Sequence, residues 1–130
     1  MTLKITREEV EEVLDKARQL LTAGAFSISQ REKNNMFMDE YNLTHNKVKQ
    51  LVLDLKVEDF HAAEYNNNEN YDPDNICYIF VPQVLLSDVM GERKKRNVYV
   101  KFVIVMRKIS DTMILISLHE AEHGVNYPFR

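Results

Sequence analysis

Residues 97–119 read NVYVKFVIVMRKISDTMILISLH, and the reading of this stretch decides the fold. β-Branched and aromatic residues run from Asn97 to Lys108, the polar pair Ser110-Asp111 turns the chain, and a second apolar run extends from Thr112 to His119. That is the pattern of two antiparallel strands joined by a hairpin. In the first strand Val98, Val100, Phe102, Ile104 and Met106 share one face, expected to lie toward the core. Tyr99, Lys101, Val103, Val105 and Arg107 share the other. Strict alternation in the second strand puts Ile114, Ile116 and Leu118 on one side and Met113, Leu115, Ser117 and His119 on the opposite side. Upstream, Ile76 to Leu86 has the same character, but Pro82 cannot donate to a ladder and marks an edge or a bulge. The polar stretch Ser87 to Arg96 is expected to connect this run to Asn97, giving three antiparallel strands.

The first half of the chain reads as helices. Thr6 and Glu9 have capping-box spacing, and Val10, Val13, Leu14, Ala17, Leu20 and Leu21 then follow the period of one helical face, predicting a helix over about Arg7 to Ala23. Gly24 ends it, and Ala25 to Ser29 is extended. Asn34 to Tyr41 gives a weaker helical signal, with Met36, Phe37 and Tyr41 on a face. Thr44 caps a third helix whose apolar stripe is Val48, Leu51, Val52 and Leu55. Glu64 to Asn75 is Asn-rich and acidic, an exposed loop. The expected fold class is therefore α+β, with N-terminal helices packed on a C-terminal antiparallel β-sheet, as one domain over residues 1–130.

A chain of 130 residues with 45% apolar and 28% charged residues buries a core without disulfides or a structural metal. Its one cysteine, Cys77, has no partner within the chain, and the N-terminus lacks a signal-peptide layout, so a cytoplasmic location is expected. Apolar runs such as Phe102 to Met106 are far short of the roughly 20 residues of a membrane helix. The net charge of −3 argues against a surface that binds nucleic acid all over. The charge is unevenly spread: Asp54 to Asp74 holds seven acidic residues against one lysine, whereas Gly91 to Lys108 holds seven basic ones against Glu92. Arg93, Lys94, Lys95, Arg96 and Arg107 are candidate contacts to an anionic substrate, or simply a solvated hairpin.

His119-Glu120-Ala121-Glu122-His123 matches the H-E-x-x-H string of zinc peptidases. That motif needs a helix, which stacks residues i and i+4 on one face. Here the string continues a strand, where four residues span about 13 Å, too far for two nitrogens to share one ion. No metal and no cofactor is expected. A different use of His119 follows from the strand pairing, which brings it near Tyr99 and Lys101. A histidine, a phenol and an ammonium on one face suit RNA cleavage by the substrate's own 2′-hydroxyl, which needs a base, cationic stabilisation of the phosphorane and an acid for the leaving oxygen. The plain alternative is that these are polar residues on the outer face of a one-sided sheet. Glu120 and Glu122 either orient His119 or belong to a solvated C-terminal segment; His45, at a helix start, and His61, near a turn, are expected to be exposed.

Arg18-Gln19-Leu20-Leu21-Thr22-Ala23-Gly24, Leu43-Thr44 leading to Val48 and Leu51-Val52-Leu53, Leu55 to Phe60, Val98-Tyr99-Val100-Lys101 and Leu115-Ile116-Ser117-Leu118 occur in an order that resembles the MqsR family of toxins. The resemblance covers about Arg7 to His119. It implies a RelE-like fold and the toxin half of a bacterial type II toxin–antitoxin pair, an endoribonuclease that cuts mRNA without metal or ribosome and is neutralised by a cognate antitoxin protein. It places the family's site tyrosine at Tyr99, with Lys101 beside it, and its basic residue at the end of the last strand at His119. The family's lysine after the D-F-x turn falls at Ala62 and its glutamine near Ile79, so these two are not preserved; His61 and Gln83 are the nearest replacements. A non-catalytic interaction domain of phage or mobile-element origin is the alternative reading.

Overall fold

The computed structural model describes residues 2–66 and 75–130. Much of the predicted Glu64–Asn75 loop lies outside the described residues. The order of elements is β1 (Thr2–Leu3), α1 (Arg7–Thr22), β2 (Phe26–Ile28), α2 (Glu32–Glu40), α3 (His45–Leu53), a 3-10 turn (Val57–Asp59), β3 (Phe60–Tyr65), β4 (Ile76–Phe80), β5 (Gln83–Ser87), β6 (Arg93–Val105) and β7 (Thr112–Glu120). The class is α+β. Among the described residues the strands form one sheet in the order β1-β3-β4-β6-β7-β2, with β5 on the first half of β6. It is antiparallel except at one edge, where β2 runs parallel to β7.

The helices form where the sequence signals them. The Thr6 side chain accepts from the Glu9 amide while the Glu9 carboxylate accepts from the Thr6 amide, a reciprocal cap at the start of α1. Gly24, at φ +77°, takes the left-handed turn that releases the chain into β2. Val10, Leu14, Ala17, Leu20 and Leu21 of α1, Phe37 of α2, and Val48 and Val52 of α3 pack with Val98, Val100, Phe102, Met113, Leu115 and Leu118 in one continuous core. All three helices thus lie on one face of the sheet. Leu51 is only partly buried, at the margin of the α3 stripe, and Met36 is 63% exposed because α2 begins at Glu32 and presents Asn34 and Phe37 inward instead.

Several expectations are corrected by strand pairing. Ser87 to Arg96 is not a connection: β5 pairs residue by residue with Arg93–Asn97, so β6 is 13 residues long and the turn is confined to residues 88–92. Pro82 falls at the corner between β4 and β5, where it needs no amide, and its carbonyl accepts from Val98 at 3.0 Å. Phe60–Tyr65 is a strand between β1 and β4. Met106 lies past the end of β6, 79% exposed, rather than in the core.

The correction that matters most for the site is in β7. Lys101 pairs with Ser117, but Phe102 pairs with Leu115, so Ile116 is an extra residue. This β-bulge breaks the strict alternation. Leu118 joins Met113 and Leu115 on the helix side, while Ile114 and Ile116 belong to a separate buried cluster with Cys77 and Val103. A second bulge borders the Lys101–Ser117 row from its other side: Phe60 pairs with Phe80 and Ala62 with Ile79, leaving His61 as the extra residue of β3.

Asn34 of α2 holds the β7 bulge. Its side-chain amide donates to the Ile116 carbonyl at 2.9 Å and to the Ser29 carbonyl at 3.1 Å, and its oxygen accepts from the Leu118 amide at 2.9 Å. The buried amide therefore continues the ladder along the β7 edge where β2 ends. Asn34→Ala should cost roughly 2–4 kcal/mol in a denaturant titration, because buried backbone groups lose their partners without access to water.

Candidate functional site

The face of the sheet opposite the helices carries a cleft of about 330 Å³, lined by Lys33, His61, Val81, Tyr99, Lys101, Ser117, His119, Ala121, Glu122, His123, Gly124 and Val125. Tyr99, Lys101 and His119, selected from strand alternation, are brought together there. Four elements supply the chemistry: α2 gives Lys33, β3 gives His61, β6 gives Tyr99 and Lys101, and β7 gives Ser117 and His119. Residues 121–125, after β7, line the remaining side.

Tyr99 and His119 are directly paired across β6 and β7, and their rings stack with centroids 4.9 Å apart and planes 9° apart. His119 Nδ1 lies 2.9 Å from the carbonyl oxygen of Glu120. A carbonyl only accepts, so Nδ1 carries the proton and Nε2 is the nitrogen left to take or give one. The stack fixes the ring plane and the hydrogen bond fixes the tautomer. Burial pushes the Tyr99 phenol above its ordinary value, only partly opposed by Lys101, so at neutral pH it is a hydrogen-bond donor and not a base.

Lys101 is less free than its sequence position suggests. Its ammonium donates to Glu64 at 2.8 Å, with both side chains largely buried. Burial pulls its pKa down, but the hydrogen bond and charge of Glu64 together outweigh this and leave it raised. Lys101 therefore stays charged while a carboxylate offsets much of that charge, leaving N–H donors as its main offering. Lys33 pairs with Glu122, whose carboxyl is held below its usual value by that hydrogen bond. Arg31 Nη1 donates to Ser117 Oγ at 3.4 Å.

The predicted substrate contacts do not line this cleft. Arg96 Nε is committed to Tyr41 Oη at 3.1 Å and to Glu120 at 3.3 Å, and Lys94 pairs with Asp88 at 3.2 Å. Arg93 and Lys95 are exposed on the β5–β6 arm, and Arg107 is exposed past the other end of β6. His45 opens α3 with its ring 5.1 Å from Phe26.

His61 was expected near a turn and exposed; the structure puts it in the β3 bulge, half-buried and in the cleft. No local signal announces this, since residues 60–65 (FHAAEY) have little strand character of their own. Its Nδ1 lies 2.8 Å from the Asn126 carbonyl and 3.3 Å from the Asn126 amide. The two contacts require opposite protonation of Nδ1, and the shorter one favours donation to the carbonyl. The C-terminal segment that supplies this carbonyl is itself anchored: Tyr127 Oη donates to Val81 at 2.7 Å, Phe129 stacks on Phe60, and Arg130 sits 3.6 Å over the Tyr127 ring while its Nε donates to the Glu58 carbonyl.

The H-E-x-x-H string is not on a helix: His119 and Glu120 end β7, and residues 121–127 are irregular. Among the described residues no group of three or more His, Cys, Asp or Glu side chains is placed to hold a metal ion, and no helix is long and apolar enough to cross a membrane. No family model, curated protein or solved structure matches the chain.

Proposed function

We propose that this chain is a metal-independent endoribonuclease, the toxin of a type II toxin–antitoxin pair with a RelE-like fold of the MqsR kind. It cuts mRNA by attack of the substrate's 2′-hydroxyl and is held in check by a cognate antitoxin protein. One observation carries the reading: the stacked Tyr99–His119 pair, with the His119 tautomer set by a backbone carbonyl, opens onto a cleft that also holds Lys101. In that arrangement His119 Nε2 moves a proton, the Tyr99 phenol donates a hydrogen bond to a phosphate oxygen, and Lys101 supplies further donors where negative charge builds on phosphorus. Arg93 and Lys95, and Arg107 at the far end of β6, contact the RNA backbone beyond the cut link. The sequence resemblance to MqsR toxins supports the same assignment.

Purified protein incubated with mRNA in a chelator is expected to yield fragments ending in 2′,3′-cyclic phosphate and beginning with 5′-hydroxyl, since no water takes part in that step. Activity that disappears with chelator and returns with zinc, alongside stoichiometric bound zinc lost in His123→Ala, would overturn the mechanism. A second reading, a non-catalytic protein-interaction domain of phage or mobile-element origin, is favoured by the exposed Leu85, Val89 and Met90 on the β5–β6 arm, Val89 and Met90 being 70% and 87% exposed. Wild-type protein that cuts no RNA, alone or with ribosomes, and whose expression does not slow growth, gives that reading the field.

A further inference from the structure

We infer that His61 is the second proton-transfer group of this cleft, working opposite His119, and that the C-terminal segment fixes its working tautomer through the Asn126 carbonyl. The inference rests on the ribonuclease reading and completes it, because transfer to phosphorus needs two proton movements and His119 accounts for one of them. His61 and His119 are built alike. Each lines the cleft, and each has Nδ1 against a backbone carbonyl, at 2.8 Å and 2.9 Å, the Asn126 amide lying farther from the His61 nitrogen at 3.3 Å, so that donation to the carbonyl leaves Nε2 for the exchange of protons. His61 is the extra residue of one bulge and the phase of His119 is set by the other, and the two bulges border one row of the sheet, Ala62–Ile79–Lys101–Ser117, from its two sides. The histidine-bearing strands β3 and β7 are separated by β4 and β6, three strand spacings or roughly 14 Å. Both imidazoles line the one cleft, from opposite edges of which they would act on a bound phosphodiester.

The other groups of the cleft are poorly suited to the second role. The Tyr99 phenol is pushed up by burial, and the Lys101 ammonium is held charged by Glu64, so neither exchanges a proton readily near neutral pH. Lys33 is paired with Glu122. In the step itself one imidazole takes the 2′-hydroxyl proton as O2′ bonds to phosphorus, the P–O5′ bond breaks, and the other, as imidazolium, gives its proton to O5′. The products are a 2′,3′-cyclic phosphate and a 5′-hydroxyl, with one proton moved from one histidine to the other and no further reactant.

The test uses an RNA oligonucleotide with a mapped wild-type cut and the same oligonucleotide with sulfur in place of the bridging 5′ oxygen at that link. A thiolate leaves without a proton, so only the residue acting as acid becomes dispensable. On the ordinary oligonucleotide His61→Ala and His61→Gln are both expected to lose about 10²- to 10⁴-fold. Glutamine retains a donor for the Asn126 carbonyl, so equal loss in both variants with unchanged melting separates proton transfer from anchoring. On the sulfur oligonucleotide one of His61→Ala and His119→Ala should recover to near the wild-type rate and the other should not. The wild-type pH profile should be bell-shaped and lose one limb in His61→Gln. The charged and titratable neighbours that bear on that limb are Lys33, Tyr99, Lys101 with Glu64, His119, Glu122 and His123. Full activity in His61→Gln, or recovery of both or neither alanine variant on sulfur, overturns the pairing while leaving the ribonuclease reading standing. A wild-type protein that cuts no RNA overturns both.

Discussion

His119→Ala is expected to slow RNA cleavage by about 10²- to 10⁴-fold, with melting temperature and antitoxin binding close to wild type. The magnitude follows from losing a positioned imidazole while the rest of the cleft survives. The small structural cost follows from where the ring sits: it is only half-buried, at the end of β7, and its hydrogen bond is to the carbonyl of the adjacent residue. Tyr99→Phe is the natural companion. Phenylalanine keeps the ring that stacks on His119 and removes only the phenol OH, so a smaller, measurable loss is expected. Single-turnover rates on a mapped RNA measure both. A fully active His119→Ala would leave the reaction class intact and remove His119 from it.

Phe102→Ala should be the most destabilising of the substitutions considered, at about 3–5 kcal/mol. Phe102 is fully buried in the main core, its ring stacked on Phe80 with planes 4° apart and centroids at 5.7 Å, and 5.9 Å from Tyr78. It is also the residue of β6 at which pairing with β7 skips Ile116. The substitution therefore opens a cavity at the place where the register changes, and little can collapse into it, because strands β4 and β7 hold the backbone on both sides. Against a typical domain stability of roughly 5–15 kcal/mol, much of the fold's margin disappears. A urea midpoint within experimental error of wild type would contradict the packing described for this core.

The sequence was most informative where structure is decided locally. The capping box, the α1 stripe and the Gly24 turn depend on neighbours a few residues away, and α1 ends within one residue of its predicted limit. The faces of β6 from Val98 to Val105 were also legible, because that span has no bulged residue. Legibility stopped where a partner segment sets the answer. Alternation in β7 could not reveal that Ile116 is skipped, since the skip is held by an asparagine on α2. Residues 60–65 contain two alanines, a glutamate and a histidine, and they are a strand because β1 and β4 pair on either side. The strand position of His61 was hidden for that reason, although the resemblance had offered it as a replacement for a site lysine, and the placement of Lys33 and His123 in the cleft was likewise not legible. The basic run Arg93–Arg96 was visible but misleading, because two of its four members spend their charge within the molecule.

Asn34 also bears on the order of assembly. Its bonds to Ile116 and Leu118 join residues 82 and 84 positions apart. Contacts of such long range must close a large loop before they give anything back, and they form late. The β6 strand can present Tyr99 and Lys101 on its own, but the phase of His119 is set only when the helical first third of the chain has docked on the last strand. A nascent or half-folded chain therefore has the components of the proposed site without their arrangement, and any chemistry of that site waits until the two distant parts of the chain have met.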